Sequence, residues 1–193
     1  MYMKDWKQKI LTIPNLLSLF RLALIPVYVR LYLCAHTATQ YLYAGMIITL
    51  SCLTDLLDGR IARRFHMITP LGKILDPLAD KMTQFVLMLC LSLRYPSMKQ
   101  VLILLLIKEL FQLTLAIVNF SHGRMLPGAL PAGKVCTAVL FFSLILMVMF
   151  PSLPSGVSSV IAVVDGGFLL VAFLHYLYAF GGKHTPVQDL NRE

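Results

Sequence analysis

Charge is what this chain has least of. Only 13% of its 193 residues are charged, against 58% hydrophobic, where a soluble domain carries about 25% charged residues. With a mean hydropathy of +0.77, that deficit excludes an ordinary soluble domain and indicates an integral membrane protein. Acidic residues are the scarcer sign, 9 against 17 basic, for a net charge of +8. No soluble basic face exists to carry the surplus, which excludes nucleic-acid binding. The bias is the one expected of cytoplasmic loops and of contact with anionic lipid. Cysteine is sparse too. Cys34, Cys52, Cys90 and Cys136 stand alone, without a Cys-x-x-Cys pair, so a zinc or disulfide framework has no basis. They read as small buried hydrophobes. Internal repeats and low-complexity tracts are lacking. So is a small-residue cleavage site after a short apolar core, so the N-terminus reads as mature sequence.

What is present is a set of long apolar runs. A helix needs ~20 apolar residues to cross a bilayer, and six segments qualify, near 16–36, 40–63, 70–93, 98–120, 133–151 and 157–180. Pro, Gly and short polar clusters punctuate them. Lys and Arg concentrate at both termini and in the connections after the second and fourth segments, which places both termini in the cytoplasm. Before the first run, Trp6, Ile10 and Ile13 alternate with Lys4, Lys7 and Lys9, the pattern of a short amphipathic helix lying on the membrane surface. The expected fold is therefore all-α and a single domain over 1–193. An interfacial helix at 1–13 precedes a six-helix transmembrane bundle at 14–182, and a cytoplasmic tail follows at 183–193. A multi-pass protein of a plasma membrane, bacterial given so short a chain, fits this.

Four of the nine acidic residues fall between positions 55 and 80, beside apolar runs. The stretch reads Asp55-Leu-Leu-Asp58-Gly59-Arg-Ile-Ala62-Arg63, then eight residues, then Gly72-Lys-Ile-Leu-Asp76-Pro-Leu-Ala-Asp80. A carboxylate beside the bilayer core is costly and faces a wet cavity, a partner or a metal. Asp55 and Asp58 are three apart, Asp76 and Asp80 four apart, so each pair shares a helix face. A hairpin of the second and third helices brings the faces together, with Thr69 as N-cap and Pro70 opening the third helix. The carboxylates then line a cavity just below the cytoplasmic surface. Oxygen-rich sites of this kind suit Mg²⁺, Mn²⁺ or Ca²⁺, and two adjacent ions can clamp a pyrophosphate. Gly59 and Ala62 leave room beside the site, Gly72 permits close approach, and Arg63 can fork onto phosphate oxygens. Pro77 lies inside the third helix and is expected to kink it.

The pattern Asp-x-x-Asp-Gly-x-x-Ala-Arg, eight residues, Gly-x-x-x-Asp-x-x-x-Asp, complete here from Asp55 to Asp80, resembles the signature of the CDP-alcohol phosphatidyltransferase family. The resemblance implies an enzyme that displaces CMP from a CDP-linked donor with divalent metal. It assigns Asp55, Asp58, Asp76 and Asp80 to two divalent cations, Mg²⁺ or Mn²⁺, with Asp80 also the catalytic base for the acceptor hydroxyl. Gly59, Ala62, Arg63 and Gly72 would bind the CDP moiety. It also implies CDP-diacylglycerol as donor, an alcohol acceptor, a lipid bilayer as setting, and a homodimer.

Ile13-Pro14-Asn15-Leu-Leu-Ser18-Leu-Phe-Arg21 and Leu71-Gly72-Lys73 resemble the branch of the family that makes phosphatidylglycerophosphate or cardiolipin. Glycerol 3-phosphate is the first expectation for the acceptor, and phosphatidylglycerol is the rival. Lys108, Arg124 and Lys134 are candidates to hold an acceptor phosphate. Lys108-Glu109 stands where that branch has Arg-Glu, followed by apolar Ala116-Ile117-Val118 where a further Arg is usual. Gly133-Lys134-Val135-Cys136-Thr137 keeps a frame but lacks its second Lys, and Leu140 replaces a Gln. Lys108 and Glu109 are alternatively a helix ion pair. Asp165 beside Gly166-Gly167 has no catalytic role in this reading. It is expected to serve helix packing through the glycines or a buried hydrogen bond. A divalent-cation transporter using the same carboxylates is the remote alternative.

Overall fold

A computed structural model describes residues 12–64, 72–121, 124–125, 131–181 and 188–189. They form α1 (Ile13–Leu33), α2 (Ala38–Arg64), α3 (Gly72–Arg94), α4 (Pro96–Ser121), β1 (Arg124–Met125), α5 (Pro131–Met149), α6 (Ser155–Gly181) and β2 (Gln188–Asp189). The six helices fall on the six apolar segments. Among the described residues the departures from all-α are β1 and β2, paired antiparallel with Arg124 opposite Asp189. The ladder draws two residues of the expected tail onto the segment after α4. Three helices hold stretches long and apolar enough to cross a membrane, Asn15–Leu33, Pro96–Val118 and Ser155–Tyr178, and α5 holds the shorter apolar run Gly133–Met149. With 27 and 23 residues, α2 and α3 have the length but also carry the signature's carboxylates and cations. The expected interfacial helix lies almost wholly outside the described residues, as do Thr69 and Pro70.

Local chemistry sets the helix ends. Thr12 is extended and Pro14 stands in the first turn of α1, where a missing N–H costs nothing. The start of α2 is a capping box. The Gln40 side-chain oxygen accepts from the His36 and Thr37 N–H groups at 2.7 and 3.1 Å, and the Gln40 N–H reaches Thr37 Oγ1 at 3.4 Å; each bond satisfies a donor that a helix start leaves open. Tyr95 alone separates α3 from α4, and Pro96 opens α4. Pro77 is accommodated inside α3, which runs on to Arg94.

The chain forms two compact units, Met1–Leu91 with Leu144–Leu153, and Ser92–Ser143 with Pro154–Glu193. In the first, α1 packs along α2. Tyr32 links them, its ring meeting Tyr41 edge-on at 5.3 Å. Helix α1 is inside-out: Asn15, Ser18 and Arg21 are buried, while Leu16, Leu19 and Phe20 are exposed. A helix in lipid turns its polar residues inward in this way. Gly45 on α2 is required by close approach, since a Cβ there would lie 2.5 Å from Met149 Cγ.

In the second unit α4 and α6 run parallel. Ser97 Oγ donates to the Ser158 carbonyl at 3.4 Å, and Phe111 meets Phe173 edge-on at 5.2 Å. Further along, Gln112 Nε2 reaches Tyr176 Oη at 3.5 Å. Asp165 is fully buried, and Ser143 Oγ donates to its Oδ2 at 2.7 Å. Of the two expectations for Asp165 the hydrogen bond holds. An added Cβ at Gly166 or Gly167 would meet nothing within 4 Å among the described residues. Cys90 and Cys136 are buried and Cys52 half-buried, but Cys34 is exposed. It stands at the end of α1, where its N–H caps the Arg30 carbonyl, so its place is fixed by backbone and not by burial.

Candidate active site

The signature lies on two helices of the first unit. Asp55, Asp58, Gly59, Ala62 and Arg63 belong to the last turns of α2, and their side chains lie outside the described residues. Earlier in the same helix Ala44, Ile48 and Ser51 are buried. On α3, Gly72 is the buried first residue. Asp76 and Asp80 follow, both half-buried, one turn apart and flanking fully buried Ala79. Lys81 is exposed on the other side.

A third helix contributes what spacing within the signature could not reveal. Ser18 on α1, fully buried, donates its hydroxyl to Asp76 Oδ1. Asn15 and Arg21, at 1% and 2% exposure, lie one turn to either side of it, so one face of α1 presents an amide, a hydroxyl and a guanidinium to the interior. Arg21 brings a fixed positive charge into a unit rich in carboxylates. The donor chemistry suits a hard divalent cation: carboxylate oxygens from Asp76 and Asp80, one already held by a hydroxyl.

The candidates for an acceptor phosphate belong to the second unit. Lys108 is buried, and its ammonium is taken up by Glu109 Oε1 at 2.6 Å, so the ion-pair expectation describes it. Lys134 is exposed in the first turn of α5. Arg124 sits in β1 opposite Asp189, its side chain outside the described residues. Gly133 is pressed by Tyr176, whose hydroxyl would lie 3.2 Å from an added Cβ.

Apolar helices long enough to cross a membrane, with half-buried Asp76 and Asp80 on α3, define a membrane protein that carries carboxylates beside its apolar segments. Residues 11–175 match the CDP-alcohol phosphatidyltransferase family, and the chain belongs to it. It is 32% identical over 143 residues to a cardiolipin synthase (CMP-forming) of Streptomyces coelicolor, a match covering 73% of this chain and 66% of that one. A putative cardiolipin synthase of Mycobacterium tuberculosis is 33% identical over 179 residues, 90% of this chain and 81% of the relative. A CDP-diacylglycerol–glycerol-3-phosphate 3-phosphatidyltransferase of Pseudomonas fluorescens is 39% identical over 72 residues, 37% of this chain and 36% of the relative. The chain thus spans just under two thirds of the Streptomyces protein and about a third of the Pseudomonas one.

Proposed function

We propose that this chain transfers a phosphatidyl group from CDP-diacylglycerol to an alcohol and releases CMP. The observation that carries the reading is the four-aspartate signature on α2 and α3, with Asp76 and Asp80 half-buried on one face of α3. Asp55, Asp58, Asp76 and Asp80 would hold two divalent cations, Mg²⁺ or Mn²⁺, which when bound supply the positive charge that a cleaving pyrophosphate needs. Asp80 accepts the proton of the attacking acceptor hydroxyl. Gly59, Ala62 and Gly72 leave room for the CDP moiety, and Arg63 forks onto its phosphate oxygens. All six helices cross a plasma membrane with both termini cytoplasmic, which puts the aspartates within reach of a water-soluble leaving group. The active form is a homodimer.

Of the two acceptors, phosphatidylglycerol is preferred to glycerol 3-phosphate, which the sequence places first. A small dianionic acceptor needs free cations, and Lys108 is already paired with Glu109. The relatives whose matches run along 73% and 90% of this chain carry cardiolipin synthase names. Glycerol 3-phosphate remains the second reading, favoured by the Pseudomonas relative. The cation-transport alternative relies on Asp165 in the outer half of the membrane, and that side chain is buried against Ser143.

The test is CMP release by the purified chain with CDP-diacylglycerol and Mn²⁺, with phosphatidylglycerol or glycerol 3-phosphate supplied singly and the lipid product identified by mass. Cardiolipin formed only with phosphatidylglycerol is the expected result. Phosphatidylglycerophosphate formed with glycerol 3-phosphate would establish the second reading. No CMP with either acceptor, from folded protein, would remove the function.

A further inference from the structure

We propose that Ser18 is a positioning residue for the acidic centre, acting on Asp76 from outside the signature. The inference rests on the proposed metal-dependent transfer. Three observations support it. The Ser18 hydroxyl donates to Asp76 Oδ1 across 58 positions of sequence, so the bond is tertiary and not a by-product of helix geometry. Ser18 is fully buried, so water cannot replace the hydroxyl easily if it is removed. Asn15 and Arg21, one turn to either side of Ser18, are buried with it, so the hydroxyl belongs to a polar face of α1 and is not an isolated contact.

The physical role follows from the valence of a carboxylate. Asp76 has two oxygens and free rotation about its last torsion, so alone it offers a cation either oxygen, or both. A hydroxyl committed to Oδ1 fixes the plane of the carboxylate and leaves Oδ2 as the oxygen available to a cation. Hydroxyls and carbonyls that orient ligands in this way matter nearly as much as the ligands, and their loss typically costs about 10–100-fold in metal affinity. Serine suits the position because it places a donor on a helix face that must also pack closely. In a helix interior such a hydroxyl ordinarily turns back to a carbonyl of its own helix, as Thr49, Thr83 and Thr137 do here. Ser18 bonds across to Asp76 on another helix.

The experiment measures Mn²⁺ binding to the full chain in detergent, by the electron paramagnetic resonance signal of free Mn²⁺, with no donor or acceptor present. Ser18→Ala should weaken Mn²⁺ binding about 10–100-fold, while Ser18→Thr, which keeps the hydroxyl, should restore affinity to within about threefold of wild type. If Ser18→Ala does not fold, by circular dichroism and gel filtration, Ser18→Thr against Ser18→Val provides the comparison, since the two differ in the hydroxyl and hardly in shape. Equal Mn²⁺ affinity in folded Ser18→Ala and wild type overturns the inference and leaves the transfer reaction standing. Weakened binding in the variant, from a wild type that releases no CMP, supports the inference and removes the reaction. A wild type that binds no Mn²⁺ removes both.

Discussion

The buried pair Ser143 and Asp165 gives an asymmetric prediction. Asp165 is fully buried, its Oδ2 accepts from Ser143 at 2.7 Å, and its Oδ1 has no hydrogen-bond partner among the described residues. The Ser143 hydroxyl, by contrast, also lies 2.9 Å from the Leu140 carbonyl. Removing Ser143 therefore strands Asp165, whereas removing Asp165 strands nothing. A buried polar group left unsatisfied costs about 1–3 kcal/mol, so Ser143→Ala should destabilise by about 2 kcal/mol. At about 2–4 °C per kcal/mol for a chain of this length, the melting temperature should fall by about 4–8 °C. Asp165→Val removes the polar group together with its need, and Ser143 keeps its carbonyl; the loss should stay below about 1 kcal/mol. The double variant should resemble Asp165→Val. Thermal unfolding of the detergent-solubilised chain, followed by circular dichroism, reads all three. Asp165→Val melting as low as Ser143→Ala, or lower, would refute the reasoning.

Gly45→Ala should destabilise by about 1–3 kcal/mol through overpacking, because the new methyl meets Met149 Cγ at 2.5 Å; the paired change Gly45→Ala with Met149→Ala should recover part of that loss in the same melt. Gln40→Ala removes the acceptor of two N–H groups at the start of α2 and should cost about 0.5–2 kcal/mol, again as a lowered melting temperature without loss of CMP release at low temperature. Chelation by EDTA should abolish CMP release, and added Mn²⁺ or Mg²⁺ should restore it while Zn²⁺ should not, a preference that follows from an all-oxygen donor set.

Hydropathy made the helices legible because a bilayer-spanning segment needs a long apolar run, and that signal survives without knowing a single contact. All six starts lie within three residues of expectation, and α2 ends at Arg64 beside the expected Arg63. The capping box at Thr37 and Gln40 is equally present in the sequence, as Thr-x-x-Gln at a helix start. The acidic signature was legible from charge, since carboxylates beside apolar runs demand an explanation. The bond from Ser18 was not: the serine stands in the Ile13–Arg21 stretch that carries the family resemblance, but 58 positions of sequence hold no spacing that ties it to Asp76. Its meaning lies in which faces meet, and only tertiary packing decides that. Lys108 shows the converse limit: resemblance made it a candidate ligand, while the structure pairs its ammonium with the neighbouring Glu109.

The central claim is that the acidic centre on α2 and α3 performs CDP-dependent phosphatidyl transfer. Its most direct test is CMP release from CDP-diacylglycerol with phosphatidylglycerol and Mn²⁺, comparing wild type with Asp76→Asn and Asp80→Asn. We expect acceptor-dependent CMP from the wild type and a loss of at least about 10²-fold in each variant, from a lost metal ligand at Asp76 and a lost proton acceptor at Asp80. CMP release from the folded Asn variants at the wild-type rate would contradict the account.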